Sequence, residues 1–208
     1  MTPAPSAANR RAARRSARRE QLTDAARLAF SRYGYHATTM ATICDYAQIS
    51  KPVGYRHFTN KLEVYLEVVQ RYLDDTAATL RAAIDPDAAA SENTRRVVEV
   101  FFDLVESDHY ATHDLVFNPT VLGDPAAERR ITTALGEFTT VVHDCLGRAS
   151  ADPDRVRLHT MGLIGATLTS AGEWHRARKP IPEHEALALI AAWYRAGAPE
   201  QADAFAVC

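Results

Sequence analysis

The chain has 208 residues, 47% of them apolar and 8% aromatic, with 9 glycines and a formal net charge of −2. That is enough to bury a sizeable core in one or two domains; no run of about 18 apolar residues offers a membrane span and no apolar N-terminal segment a secretory signal, so the cytoplasm is the expected location. The three cysteines, Cys44, Cys145 and Cys208, have no metal-type spacing, and their odd number gives no disulfide framework.

The charge is divided along the chain. Residues 1–70 carry 11 Lys and Arg against 5 Asp and Glu, giving +6, whereas residues 71–208 carry 13 against 21, giving −8. A chain that is acidic overall can still bind DNA through one basic face, because phosphate neutralisation is local and screened over about 8–10 Å.

Met1 to Asn9 is Pro, Ala and Ser without periodicity, and residues 1–19 are expected to form a disordered basic arm. Arg10, Arg11, Arg14, Arg15, Arg18 and Arg19 fall in three pairs at helical spacing. They suit either a solvated helix start or an arm that runs along a DNA backbone or enters a minor groove. From Glu20 to Tyr33 the set Leu22, Ala25, Ala26, Ala29, Phe30 and Tyr33 makes a helical stripe that Gly34 ends.

The stretch Thr38 to Lys61 reads as two short helices around a tight turn. Thr39 can cap a helix whose apolar positions Met40, Ile43, Cys44 and Ala47 share a face. Gln48 and Ile49 make the turn, Ser50 can cap the second helix, and Pro52 lies in its first turn, where a missing amide proton costs little. Ile49 and Phe58 are the expected core contacts, while Lys51, Tyr55, Arg56, His57 and Lys61 offer donors to phosphate.

This run resembles the DNA-binding signature of the TetR family of bacterial transcriptional regulators: Thr39, Ile43, Ala47, Ser50, Lys51, Tyr55, His57, Phe58 and Lys61 match its pattern. Cys44 replaces a small Ala, a nearly neutral change. Gln48 replaces the usual turn Gly, which suggests a turn without a strongly left-handed residue. Gly54 replaces an anchoring Leu or Ile, which removes a core contact and adds about 1 kcal/mol of helix penalty relative to Ala. The resemblance implies a helix-turn-helix domain over residues 20–60, with DNA contacts expected from Thr38, Thr39, Ser50, Lys51, Pro52, Val53, Tyr55, Arg56, His57 and Lys61; the reading of the basic arm adds Arg18 and Arg19.

Residues 61–208 read as helical throughout and form the expected ligand-binding and dimerisation domain. Asn60 and Glu63 make a capping box for a long helix that keeps its period to Ile84, a rigid lever between domains. A helix capped at Ser91 follows, then a short segment from Tyr110 to Phe117; Asp124 with Pro125 and Asp152 with Pro153 each start a helix, and the last runs from about Pro182. No strand pattern or repeat appears, so the fold class is all-α, with about nine helices implied by the resemblance.

Met161–Ala171 and Ala186–Tyr194 carry no charge on any side, which suits two helices buried against a second copy, the alternative being a deep pair of core helices. A two-fold dimer places recognition helices about 34 Å apart, the spacing of a palindromic operator. Apolar candidates to line an effector pocket are Phe101, Phe102, Val105, Leu115, Phe117, Leu122, Phe138, Val142, Leu163 and Trp174, with Asn118, His143 and His159 as polar groups that orient a ligand or satisfy the core. His109 and His113 are spaced i, i+4, but a metal there requires a helix through both and a third ligand; no metal or cofactor is assigned.

The block FFDLVESDHYATHDLVFNP, with AGEWHRARKPIPEHEALALIAAWYRAG, resembles in texture the TetR-type regulators of lipid genes that respond to long-chain acyl-CoA. The expected function is therefore a DNA-binding regulator, a repressor released from its operator by a small apolar effector. The alternatives are an activator or corepressed regulator of the same fold, or a helical ligand carrier with a non-functional DNA motif. No glycine-rich phosphate loop, nucleophile elbow or HExxH pattern supports an enzyme.

Overall fold

A computed structural model describes residues 6–106, 116–117, 124–146 and 152–196. The described residues are all helical or loop, in eight helices: α1 (Ala7–Ala37), α2 (Met40–Tyr46), α3 (Lys51–His57), α4 (Lys61–Ala83), α5 (Ala90–Glu106), α6 (Pro125–Cys145), α7 (Pro153–Arg176) and α8 (Glu183–Ala196). Of the expected Tyr110–Phe117 segment, only Val116 and Phe117 are described, and both are helical. His109, His113, Leu115, Asn118, Leu122 and Cys208 lie outside the described residues.

The chain forms two compact units, one reaching to Tyr72 and including Val116, Phe117 and Asp124–Thr132, the other containing the remainder. The division falls within α4 and not at the expected Asn60–Lys61 boundary. The physical reason is that the first turns of α4 complete the N-terminal core: Val64, Tyr65, Val68 and Val69 are buried, and the Tyr65 ring meets Phe30 at 5.9 Å and Tyr35 at 5.0 Å.

The basic arm is a second correction. From Ala7 onward it is helical, continuous with α1, and the Ser6 side chain accepts the Asn9 amide as its N-cap. Ala- and Arg-rich composition carries high helix propensity, which the lack of an apolar stripe concealed. Gly34 breaks the helix as expected, at φ +76.

The second unit packs α5 against α7 and α8, with α7 also against α8. Seven of the candidate pocket residues, Phe101, Phe102, Val105, Phe138, Val142, Leu163 and Trp174, are buried there. Phe101 meets Phe138 edge-on at 6.4 Å and Phe102 tilts onto Trp174 at 5.6 Å, while the Trp174 indole donates to the Ile181 carbonyl at 2.9 Å. His143 and His159 are half-buried, the latter 5.7 Å from the Tyr194 ring, whereas Phe117 belongs to the first unit. Asp124 and Asp152 cap α6 and α7 as expected, each carboxylate accepting two amides of its first turn.

Among the described residues no helix is long and apolar enough to cross a membrane, and no cluster of His, Cys, Asp and Glu could hold a metal ion. Cys44 and Cys145 are buried, and burial pushes both thiols above the usual cysteine range.

Candidate nucleic-acid interface

The interface is built by α2 and α3 on a floor made by α1. Thr39 caps α2, its hydroxyl accepting the Thr42 amide at 3.1 Å, and Met40, Ile43 and Cys44 point inward. The turn that follows is closed by two amides: Gln48 donates to the Asp45 carbonyl at 3.1 Å and Ile49 to the Cys44 carbonyl at 2.9 Å. That pairing requires a left-handed residue at the helix exit. Gln48 supplies it at φ +53, contrary to the expectation of a turn without one. Gln21 secures the bend from α1, donating to the Ala47 carbonyl at 2.7 Å.

Ser50 stands at the N-cap of α3 with Pro52 in the first turn, but the Ser50 side chain makes no capping bond. Lys51, Pro52, Tyr55 and Arg56 are exposed, Val53 and His57 half-buried, and Gly54 and Phe58 buried. The helix therefore presents one outward face, which carries Lys51, Pro52, Tyr55 and Arg56.

Gly54 departs furthest from what its local sequence implies. A Cβ added to it would lie 2.4 Å from Cys44 Sγ, well inside ordinary contact. The sulfur of Cys44 thus occupies space that a side chain at position 54 would otherwise take. The two departures from the family pattern are one compensated feature, and Gly54 gives α3 close contact with α2 instead of removing a core contact.

Three expected DNA contacts are engaged within the protein. Thr38 is fully buried, its hydroxyl donating to the carbonyls of Gly34 at 2.8 Å and Ala29 at 3.2 Å, so it ties the end of α1 and cannot reach DNA. Arg19 donates to the His57 carbonyl at 2.8 Å and Glu67 at 2.6 Å, and its guanidinium lies 4.0 Å from the Phe58 ring centroid. It joins α1 to the end of α3 and to α4. Lys61 donates to the Tyr35 carbonyl at 2.7 Å and sits 4.2 Å from the Tyr35 ring centre, and burial holds its amine below the usual lysine range. Long cationic side chains find backbone carbonyls and ring faces that spacing alone cannot show.

At the start of α4, Asn60 accepts the Glu63 amide at 2.8 Å, one half of the expected capping box. The other half shifts by one residue, since the Glu63 carboxylate accepts the amide and the hydroxyl of Thr59 at 2.7 and 2.8 Å. Burial raises the Glu63 carboxyl, but the Thr59 bonds and the Arg19 guanidinium outweigh it and hold the group below the usual carboxylate range.

Comparison with known proteins agrees with this geometry. The profile of bacterial regulatory proteins of the tetR family matches residues 22–68. The HTH-type transcriptional activator FasR of Mycolicibacterium smegmatis is 36% identical over 186 residues, covering 88% of this chain and 84% of that protein. Among solved structures, the fatty acid degradation regulator FadR from Bacillus halodurans superposes with a TM-score of 0.71 at 16% identity, covering 86% of this chain and 95% of the other. FadR from Bacillus subtilis, solved in complex with stearoyl-CoA, gives a TM-score of 0.67 at 18% identity, covering 85% and 95%. With its signature on an outward α3 and a relative matched over most of both chains, this chain belongs to the TetR family of DNA-binding transcriptional regulators.

Proposed function

We propose that the chain acts as a homodimer that holds a palindromic operator until a small apolar effector, of long-chain acyl-CoA chemistry, binds its C-terminal unit. The observation that carries this reading is the fold match to a regulator solved with stearoyl-CoA. Two features of the second unit support it. Its core gathers large apolar side chains on α5, α6 and α7, and a buried acyl chain contributes about 0.8 kcal/mol per methylene. The hydroxyls of Thr160 and Thr167, on the buried face of α7, have no hydrogen-bond partner among the described residues, an unmet demand that the polar end of a ligand could satisfy.

Dimerisation is supported by an apolar stripe on α7 and α8. Leu158 is 72% exposed, Leu189 63%, Trp193 61% and Met161 37%, with exposed Gly162 and Gly165 leaving room for close backbone approach. Large apolar side chains gathered on two neighbouring helices mark a surface meant to be covered.

Control follows by linkage. A ligand that prefers the conformation with wrongly spaced recognition helices weakens operator binding by its coupling free energy, about 1–3 kcal/mol or 5–150-fold. The unbroken α4 is the covalent path for that coupling. Repression by operator occlusion is the output proposed first. Activation is the second reading, favoured by the match to an activator across 88% of the chain. The same release step serves both, working on DNA in the cytoplasm.

The test is fluorescence anisotropy on a duplex selected from a random pool, titrated with stearoyl-CoA and with free CoA. Stearoyl-CoA should weaken binding about 5-fold or more and free CoA should not. Unchanged affinity, with no rise in thermal midpoint on adding stearoyl-CoA, would overturn the effector; no binding to any duplex would leave the carrier reading.

A further inference from the structure

The turns of α1 that precede Arg19 stand outside the helix-turn-helix core. Residues 7–18 are all exposed, so this extension buries no apolar face of its own. It is also strained by charge: Arg10, Arg14 and Arg18 form one i, i+4 ladder and Arg11, Arg15 and Arg19 another. Like charges at that spacing destabilise an isolated helix. Arg19 is neutralised by Glu67 and Glu63 and Arg18 is hydrogen-bonded to Gln21, whereas Arg14, Arg15 and Arg56 have no carboxylate partner among the described residues.

These unpaired cations share one cleft of about 750 Å³. Arg14, Arg15 and Arg18 form one wall, while Ser50, Val53, Arg56 and His57 form the other, with Gln48 and Ile49 at its end and no carboxylate among the lining side chains. The second wall is the flank of α3, continuous with the outward face of Lys51, Pro52 and Tyr55.

We infer that this cleft is a backbone-phosphate clamp: the α1 extension and the flank of α3 close on the DNA strand beside the groove that α3 occupies, through Arg14, Arg15, Arg18 and Arg56. Four guanidiniums without a counter-charge in one concavity demand a polyanion, and a helix so loaded gains stability when phosphate neutralises it. The location settles which polyanion, because a strand flanking α3 in a major groove must pass this edge of the helix. Phosphate there also offsets the environment of His57, which burial first, and then the fields of Arg15, Arg56, Arg19 and Arg18, hold below the usual histidine range; the carboxylates nearby on α4, Glu63 and Glu67, are taken up by Arg19. The clamp reads no bases, so it adds equally to operator and random DNA.

The inference rests on the DNA-binding reading but fails separately from it. The experiment compares the full chain with the triple variant Arg14→Gln, Arg15→Gln, Arg18→Gln and with Arg10→Gln, Arg11→Gln, which lies outside the cleft, on operator and random duplexes from 50 to 300 mM salt. Glutamine keeps every altered position polar, and circular dichroism and thermal midpoint check the fold. The triple variant should lose about 0.9 of log–log salt slope per phosphate contact, a total fall of about 2–3, with the same loss on both duplexes. Arg10→Gln, Arg11→Gln should lose less than half as much. Inorganic pyrophosphate at millimolar concentration should compete only weakly, since a free anion lacks the contacts made by α3. An unchanged slope in the triple variant, equal losses in the two variants, or displacement of DNA by pyrophosphate as effective as by competitor duplex would each overturn the clamp. Absence of salt-dependent binding by the unaltered chain would instead overturn the DNA-binding reading itself.

Discussion

The Cys44–Gly54 contact yields the sharpest expectation about the recognition helix. In Gly54→Ala the new Cβ would sit 2.4 Å from Cys44 Sγ, at least 1.0 Å short of ordinary contact at 3.4 Å, against a buried sulfur on a short stem. Overpacking of this kind costs about 1–3 kcal/mol, while replacing Gly by Ala in a helix returns about 1 kcal/mol, so the single variant should be destabilised by about 0–2 kcal/mol. Cys44→Ala alone removes one buried heavy atom and should cost about 1 kcal/mol. Combined, the methyl group introduced at position 54 enters the space the sulfur leaves. The double variant should be more stable than the sum of the singles by about 1.5–3 kcal/mol, and it should keep operator affinity. Urea titration of all four proteins gives the coupling, and thermal midpoints should move about 2–4 °C per kcal/mol in a chain of this size. Additivity within about 0.5 kcal/mol, or a Gly54→Ala protein stabilised by the full helix gain, would refute the idea that sulfur and missing side chain compensate each other.

Other expectations follow from the same contacts. Gln48→Gly should stabilise the chain by about 0.5–1 kcal/mol by removing the side chain from a left-handed position, read as a raised urea midpoint. Leu158→Asp with Trp193→Glu should convert a dimer to a monomer in sedimentation while leaving the helical signal intact, and should weaken operator binding more than binding to a half-site. The Glu63 carboxyl lies below its ordinary value of 4.5 in the folded chain, so its stabilising contribution is present above that pH and is lost as pH falls through the lower folded value. Urea midpoints from pH 7 to 3 should drop less steeply in Glu63→Gln than in the unaltered chain.

What is legible in the sequence is whatever depends on near neighbours. Thr39 as a cap, Pro52 in a first turn, Asp124 and Asp152 before prolines, and the buried Ile49 and Phe58 all follow from local geometry, and the motif around them carries the family. What escapes is pairwise and distant in sequence. That Gly54 and Cys44 share one volume depends on how closely two helices approach; that Arg19 and Lys61 turn inward depends on carbonyls and rings supplied by other elements. Gln48 departs from expectation because its left-handed turn is imposed by two hydrogen bonds closing α2, which override its preference. The arm departs for another reason: arginine pairs at helical spacing suit a solvated helix start as well as an arm, and without an apolar stripe only propensity favours the helix over residues 7–19. The C-terminal candidates are legible as core, and seven of them are buried in the second unit, but aromatic spacing does not distinguish a packed core from a ligand's lining.

The most direct test of the central claim is a titration of the selected duplex and a scrambled duplex of equal length and charge, each with and without stearoyl-CoA, at fixed salt. A preference for the selected duplex of about 10³-fold or more, built on a two-fold symmetric sequence with half-sites about 34 Å apart and reduced about 5–150-fold by stearoyl-CoA, is the expected result. Equal affinity for the two duplexes, or a preference that stearoyl-CoA leaves untouched, would contradict an effector-controlled operator reader.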